Sequence, residues 1–132
     1  MALCMCLVLI SGVATAQDID DIQVYDAGGA PASPYLGQSV TVTGQITVLK
    51  GTYNSGTWYI QDATGGIQFF DSAAGPFALG DVVEVTGTVS TFSGELQIGT
   101  PSSVFLSAGT PVVPASYDIS ALTFEEVGSL IE

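Results

Sequence analysis

The side chains able to do chemistry in this 132-residue chain are thirteen carboxylates, eleven Phe and Tyr, one Trp and one Lys, with no Arg and no His. Without an imidazole there can be no Ser-His-Asp triad, no Cys-His dyad and no His-ligated metal. The two cysteines, Cys4 and Cys6, sit inside the apolar run Leu3 to Ile10 and read as small apolar residues of that run, not as metal ligands. The carboxylates remain. A glycosidase needs two of them about 5 to 10 Å apart across a cleft, but Asp62 and Asp71 fall at opposite ends of different strands, and Glu84 and Glu95 alternate outward. Asp18, Asp20 and Asp21 cluster without the glycine and terminal Glu of an EF-hand loop, so calcium is at most a weak expectation. No catalytic residue, metal site or cofactor is assigned, and the carboxylates read as a solvated acidic surface that favours solubility.

The aromatic residues leave one kind of chemistry open. Tyr53 and Asn54 lie just after Lys50, the only cationic side chain. Tyr59 and Gln61 are followed by Gln68 and Phe70, and Phe92 comes later. Rings supply stacking area and amides supply both donors and acceptors, a combination that suits a sugar or a base. A blander reading stands beside it: Tyr59 and Phe70 form a cross-strand pair that only stabilises a hairpin, by about 0.2 to 1 kcal/mol.

Strands must position these side chains. From Ser39 to Leu49 the chain alternates, with Val40, Val42, Ile46 and Val48 on one face and Thr41, Thr43, Gln45 and Thr47 on the other. Gly56 to Asp62 and Gly66 to Asp71 are two short strands joined by Ala63-Thr64-Gly65. Asp81 to Thr91 repeats the alternation, Glu95 to Ile98 follows across Phe92-Ser93-Gly94, and Val104 to Leu106 is a weaker sixth strand. Parity places Val40, Val42, Ile46, Trp58, Ile60, Ile67, Phe69, Val83, Val85, Val89, Leu96 and Ile98 inward. Gly44 and Gly87 share that inward parity in matching segments, GQSVTVTG and GDVVEVTG, and mark strands that bend at barrel corners.

The order GQSVTVTGQITV, GTWYIQDATGGIQFF and ALGDVVEVTGTVSTFSGELQI resembles the OB-fold modules of secreted bacterial proteins, notably those attached to extracellular nucleases. The resemblance covers roughly Asp20 to Leu106 and is most specific over Tyr59 to Gly66. It implies an all-β, five-stranded Greek-key barrel and carries no catalytic residue over, because such modules accompany a nuclease and are not one. It also implies a ligand surface on the outer face of strands two and three and the neighbouring loops. Onto that surface fall Lys50, Tyr53, Asn54, Tyr59, Gln61, Gln68, Phe70 and Phe92, with four rings around one face.

Charge narrows the ligand. At a net charge of -12 the chain lacks the cations that neutralise phosphates, and repulsion from nucleic acid is the default. A neutral glycan or a protein partner fits better, with self-association a further option. Residues 1–16 read as a signal peptide, an apolar run too short to cross a bilayer followed by Ala14-Thr15-Ala16. Export, and a secreted or cell-surface location with no membrane contact after cleavage before Gln17, are expected. Residues 17–36 read as a lead-in segment, 37–108 as the barrel, and 109–132 as a connector and short helix. In that helix Thr123-Phe124-Glu125-Glu126 is a capping box with Leu122 and Val127 as its staple; the helix either plugs the barrel or begins a further module. The function expected is a non-catalytic binding module. The alternatives are a structural subunit of an extracellular assembly and an accessory single-stranded nucleic-acid-binding module.

Overall fold

The computed structural model describes residues 15–116, 118, 120, 122, 124 and 127–130. A four-residue helix, α1 (Ile19–Ile22), precedes five strands: β1 (Ser39–Val48), β2 (Thr57–Gln61), β3 (Gly66–Phe70), β4 (Val82–Phe92) and β5 (Glu95–Ser107). They close into a ring in the order β1-β2-β3-β5-β4. Four contacts in the ring are antiparallel. The β3–β5 seam is parallel and short, joining Gln68 to Gln97 and Phe69 to Ile98. The chain is therefore an all-β, OB-like barrel.

One strand differs from the sequence reading. The expected separate strand at Val104 to Leu106 is the second half of β5, which runs through Gly99-Thr100-Pro101 without leaving β4. Thr100 adopts a φ of 45°, rare for a β-branched residue, and the β4–β5 register shifts between Thr86 and Thr88. Gly87 sits at that shift, where a Cβ would come within 2.6 Å of Ile98 and 2.7 Å of the Gly99 carbonyl oxygen. Gly44 plays the same part on β1, facing the Gln61 carbonyl oxygen at 2.9 Å from where its Cβ would be. Both inward glycines thus stand where two backbones close on each other.

The twelve side chains assigned to the core are at most 3% exposed, whereas Val48, which alternation puts on the same face, is half-buried beyond the register shift between Ile46 and Val48. The largest two, Trp58 and Phe69, stack at 6.3 Å and 8°, and Phe77 meets Trp58 edge-on at 5.2 Å. The indole N–H donates to the Asp71 carbonyl, which satisfies its one donor at the core boundary. Ile19 and Ile22, one helical turn apart in the lead-in segment, are also fully buried and join the same core. Asp62 holds this plug in place: its Oδ2 accepts from the Ile19 N–H, and its Oδ1 accepts from the Thr64 and Gly65 N–H groups and the Thr64 hydroxyl. One carboxylate thereby closes the β2–β3 turn and caps α1.

The C-terminal residues described lie against the same end. Gln23 donates to the Gly66 and Val127 carbonyls, and the Leu130 N–H donates to Gln61 Oε1. Phe124 rests on Tyr25 at 6.3 Å. Of the expected capping box, Thr123, Glu125 and Glu126 fall outside the described residues.

Candidate functional site

The β2–β3 hairpin presents its outward residues as parity requires, but they do not form one surface. The register sets Tyr59 opposite Gln68 and Thr57 opposite Phe70, so Tyr59 and Phe70 are diagonal neighbours and not the directly opposed pair. Glu95 at the start of β5 comes over Gln68 and takes its amide at 2.7 Å, and it also takes the Tyr59 hydroxyl at 3.1 Å, both on Oε2. Gln68 is thereby buried to 6% exposure instead of facing solvent. Burial first, then the charge and hydrogen bond of Glu95, push the Tyr59 hydroxyl well above the ordinary tyrosine range, so it stays a donor.

This network parts the four rings into two pairs. On one side Tyr53, 71% exposed, meets Tyr59 edge-on at 6.0 Å and 69°. With Glu95 and the Leu130 segment they line a cavity of about 250 Å³. On the other side Phe70 and Phe92 line a larger groove of about 460 Å³ with Asn54, Thr57, Ser90 and Gln97. Phe70 lies against the backbone of Gly56 with about half its surface exposed, and Phe92 stands at the turn of the β4–β5 hairpin, 63% exposed. The turn is shaped by Ser93 and Gly94, both at positive φ. Among the described residues, no charged side chain lines this groove.

The remaining expected residues are engaged within the fold. Lys50 donates to the Ser72 and Ala74 carbonyls at 3.0 and 2.7 Å and sits 5.3 Å from the Trp58 ring centroid, tying down the loop after β3. Asn54 shapes the loop entering β2: its Oδ1 accepts from the Gly56 and Thr57 N–H groups and its amide donates to the Thr57 hydroxyl. Gln61 holds Leu130. Of the eight residues expected to form one surface, Phe70, Phe92 and Asn54 share the groove, and Tyr53 and Tyr59 share the smaller cavity.

Glu95, Thr57, Ser90 and Gln97 are lining residues that the sequence reading does not assign. Period-two alternation placed Glu95 outward. Only the parallel β3–β5 seam, a contact between distant segments, brings it onto the hairpin.

Of the carboxylates weighed for catalysis, Asp62 and Asp71 serve the backbone, whereas Glu95 accepts from the Tyr59 and Gln68 side chains. Asp71 Oδ1 accepts from the Ala73 and Ala74 N–H groups, as Asp62 does at the other end of the hairpin. Asp18, Asp20 and Asp21 bring ligand atoms within 4.8 Å of one another and are all exposed. No helix among the described residues is long and apolar enough to cross a membrane.

No protein-family model matches this chain, and no curated protein matches it. Among solved structures it is similar to the hypothetical protein ygiW from E. coli, with 19% identity over 68% of this chain and 90% of that one and a TM-score of 0.49.

Proposed function

We propose that this protein is a non-catalytic, extracytoplasmic binding module that takes a neutral glycan in the groove between Phe70 and Phe92. The observation that carries the reading is the lining itself: two exposed rings with amides and hydroxyls between them and, among the described residues, no charged side chain. Rings cover the apolar faces of a sugar, while Ser90 and Gln97, joined to each other by one hydrogen bond, offer their further donor and acceptor capacity, and Asn54 and Thr57, bonded to each other, shape the wall. A phosphate would find no counter-charge there, because the one lysine is spent on Ser72 and Ala74. The non-catalytic part of the reading rests on Asp62 and Asp71, whose carboxylates hold turns at opposite ends of the hairpin.

Export is supported by the leader-like run before Ala14-Thr15-Ala16 and by the engagement of Gln17 with the barrel. Gln17 donates its N–H to the Thr41 carbonyl and accepts the Thr41 N–H on its side chain, so it covers the edge of β1 directly after the expected cleavage site. Intact mass of secreted protein would show a chain beginning at Gln17.

The test of the ligand is affinity electrophoresis of the protein through gels containing a panel of neutral polysaccharides. Retardation by at least one of them is expected, with Phe70→Ala and Phe92→Ala each weakening it about tenfold, the equivalent of ~1.4 kcal/mol. Retardation that neither substitution changes would place the glycan elsewhere. Elution as a concentration-dependent oligomer with the groove covered would favour the assembly-subunit reading.

A further inference from the structure

The smaller cavity is chemically unlike the groove. Its lining includes Thr47, Val48, Tyr53, Tyr59, Glu95 and Leu130, so one carboxylate stands beside two tyrosine rings. Glu95 uses Oε2 for both of its hydrogen bonds, from Tyr59 and from Gln68, and among the described residues none engages Oε1. No side chain of this protein neutralises it: the chain has a single Lys and no Arg, and Lys50 is held by the Ser72 and Ala74 carbonyls beside Trp58. The carboxylate is fixed from behind, since the Tyr59 hydroxyl and the Gln68 amide converge on the same oxygen. The two rings meet at 69° and make a corner next to it.

We propose that the Tyr53–Tyr59–Glu95 cavity is a second binding site, for an alkylammonium group, with Glu95 Oε1 as counter-charge and the Tyr53 ring as an aromatic wall. Ring faces attract cations through their quadrupole, and aromatic walls beside a carboxylate combine that attraction with a charge-assisted contact. A cavity of about 250 Å³ has room for a trimethylammonium head or the end of a lysine side chain. The protein's net charge of -12 adds a field that gathers cations and repels anions. The site is independent of the Phe70–Phe92 groove, which has different lining residues.

The chemistry is common to a free quaternary amine and a lysine side chain of another polypeptide, and the test has an arm for each. The full chain is titrated with choline and with its neutral isostere 3,3-dimethylbutan-1-ol, following the methyl protons by NMR. In parallel it is titrated with a short lysine-containing peptide and with the same peptide acetylated on lysine. The expected result is an upfield ring-current shift of the choline methyls, with the isostere binding at least about tenfold more weakly, as loss of the positive charge beside a carboxylate and a ring face implies. Tyr53→Ala should weaken choline roughly two- to fivefold, and Glu95→Gln, which removes the counter-charge, about tenfold. Tyr53 is the safer variant because its ring is exposed, so it decides the matter if Glu95→Gln disturbs folding. Binding of the lysine peptide that acetylation removes would identify a protein as the source of the cation. Choline binding without peptide binding would identify a free amine. Equal binding of choline and its isostere, no binding of either cation, or full binding by Tyr53→Ala would overturn the proposal.

Discussion

The two faces of the β2–β3 hairpin obey the same alternation and have different fates. Inward, Trp58, Ile60, Ile67 and Phe69 meet the other strands of the barrel and are buried, with Trp58 and Phe69 in stacked contact. Outward, Tyr59, Gln61, Gln68 and Phe70 share a side and little else. Gln68 is covered by Glu95, Gln61 is taken by Leu130, Tyr59 joins Tyr53, and Phe70 joins Phe92 across the groove. Strand parity decides which way a side chain points, whereas what covers it on the outer face depends on segments distant in sequence. The inner face has one neighbour set, the core, so direction alone determines its environment.

The comparison should appear in stability first. Trp58→Ala removes the largest buried side chain and should cost about 3 to 5 kcal/mol in denaturant unfolding, a loss no outward substitution on the hairpin should match. Ile22→Ala empties part of the plug beneath the barrel and should cost about 2 to 5 kcal/mol. A near-neutral Ile22→Ala would return α1 to the status of a lead-in. Gly87→Ala places a Cβ against Ile98 and the Gly99 carbonyl, and a cost of about 1 to 3 kcal/mol is expected.

The outer face should respond to pH more than to truncation. Because the folded Tyr59 hydroxyl titrates above its ordinary value of 10.0, the unfolded chain gives up this proton first as pH rises. The folded state then binds more protons, and the stability it confers, fully present below pH 10, is lost progressively above it. Tyr59→Phe should flatten that alkaline fall in unfolding midpoint. Part of the slope will remain, since burial also raises Tyr25. The smallest effect is reserved for Phe70→Ala, whose ring is half exposed: a change in stability within about 0.5 kcal/mol, alongside a clear loss of glycan binding.

Much of this was legible because β-branched alternation over ten residues admits one burial pattern, and β1 and β4 follow it from Ser39 and Val82 onward. Gly44 and Gly87 were legible as special positions, read as strand bends, because inward parity leaves a glycine nothing to pack; that two backbones close on each other there is what the structure adds. The plug was not legible. Ile19 and Ile22 carry helical spacing, but Asp18, Asp20 and Asp21 around them make the segment look solvated. Gly99-Thr100-Pro101 looked like the end of a strand, because a kink and a break have the same composition when the opposing Gly87 is not considered. The division of the aromatic residues into two sites depends on Glu95, which the parallel seam of the closed ring delivers. No local pattern encodes that contact.

The central claim is that an uncharged groove on an acidic barrel recognises an uncharged ligand. Its most direct test is calorimetric titration of the full chain with a retarding neutral polysaccharide and with single-stranded DNA, at low and at high salt, repeated on a Phe70→Ala, Phe92→Ala double variant. The account predicts glycan binding that salt leaves unchanged and the double variant loses, with no DNA binding at physiological salt. Tight DNA binding that collapses as salt is added, or glycan binding that survives in the double variant, would contradict it.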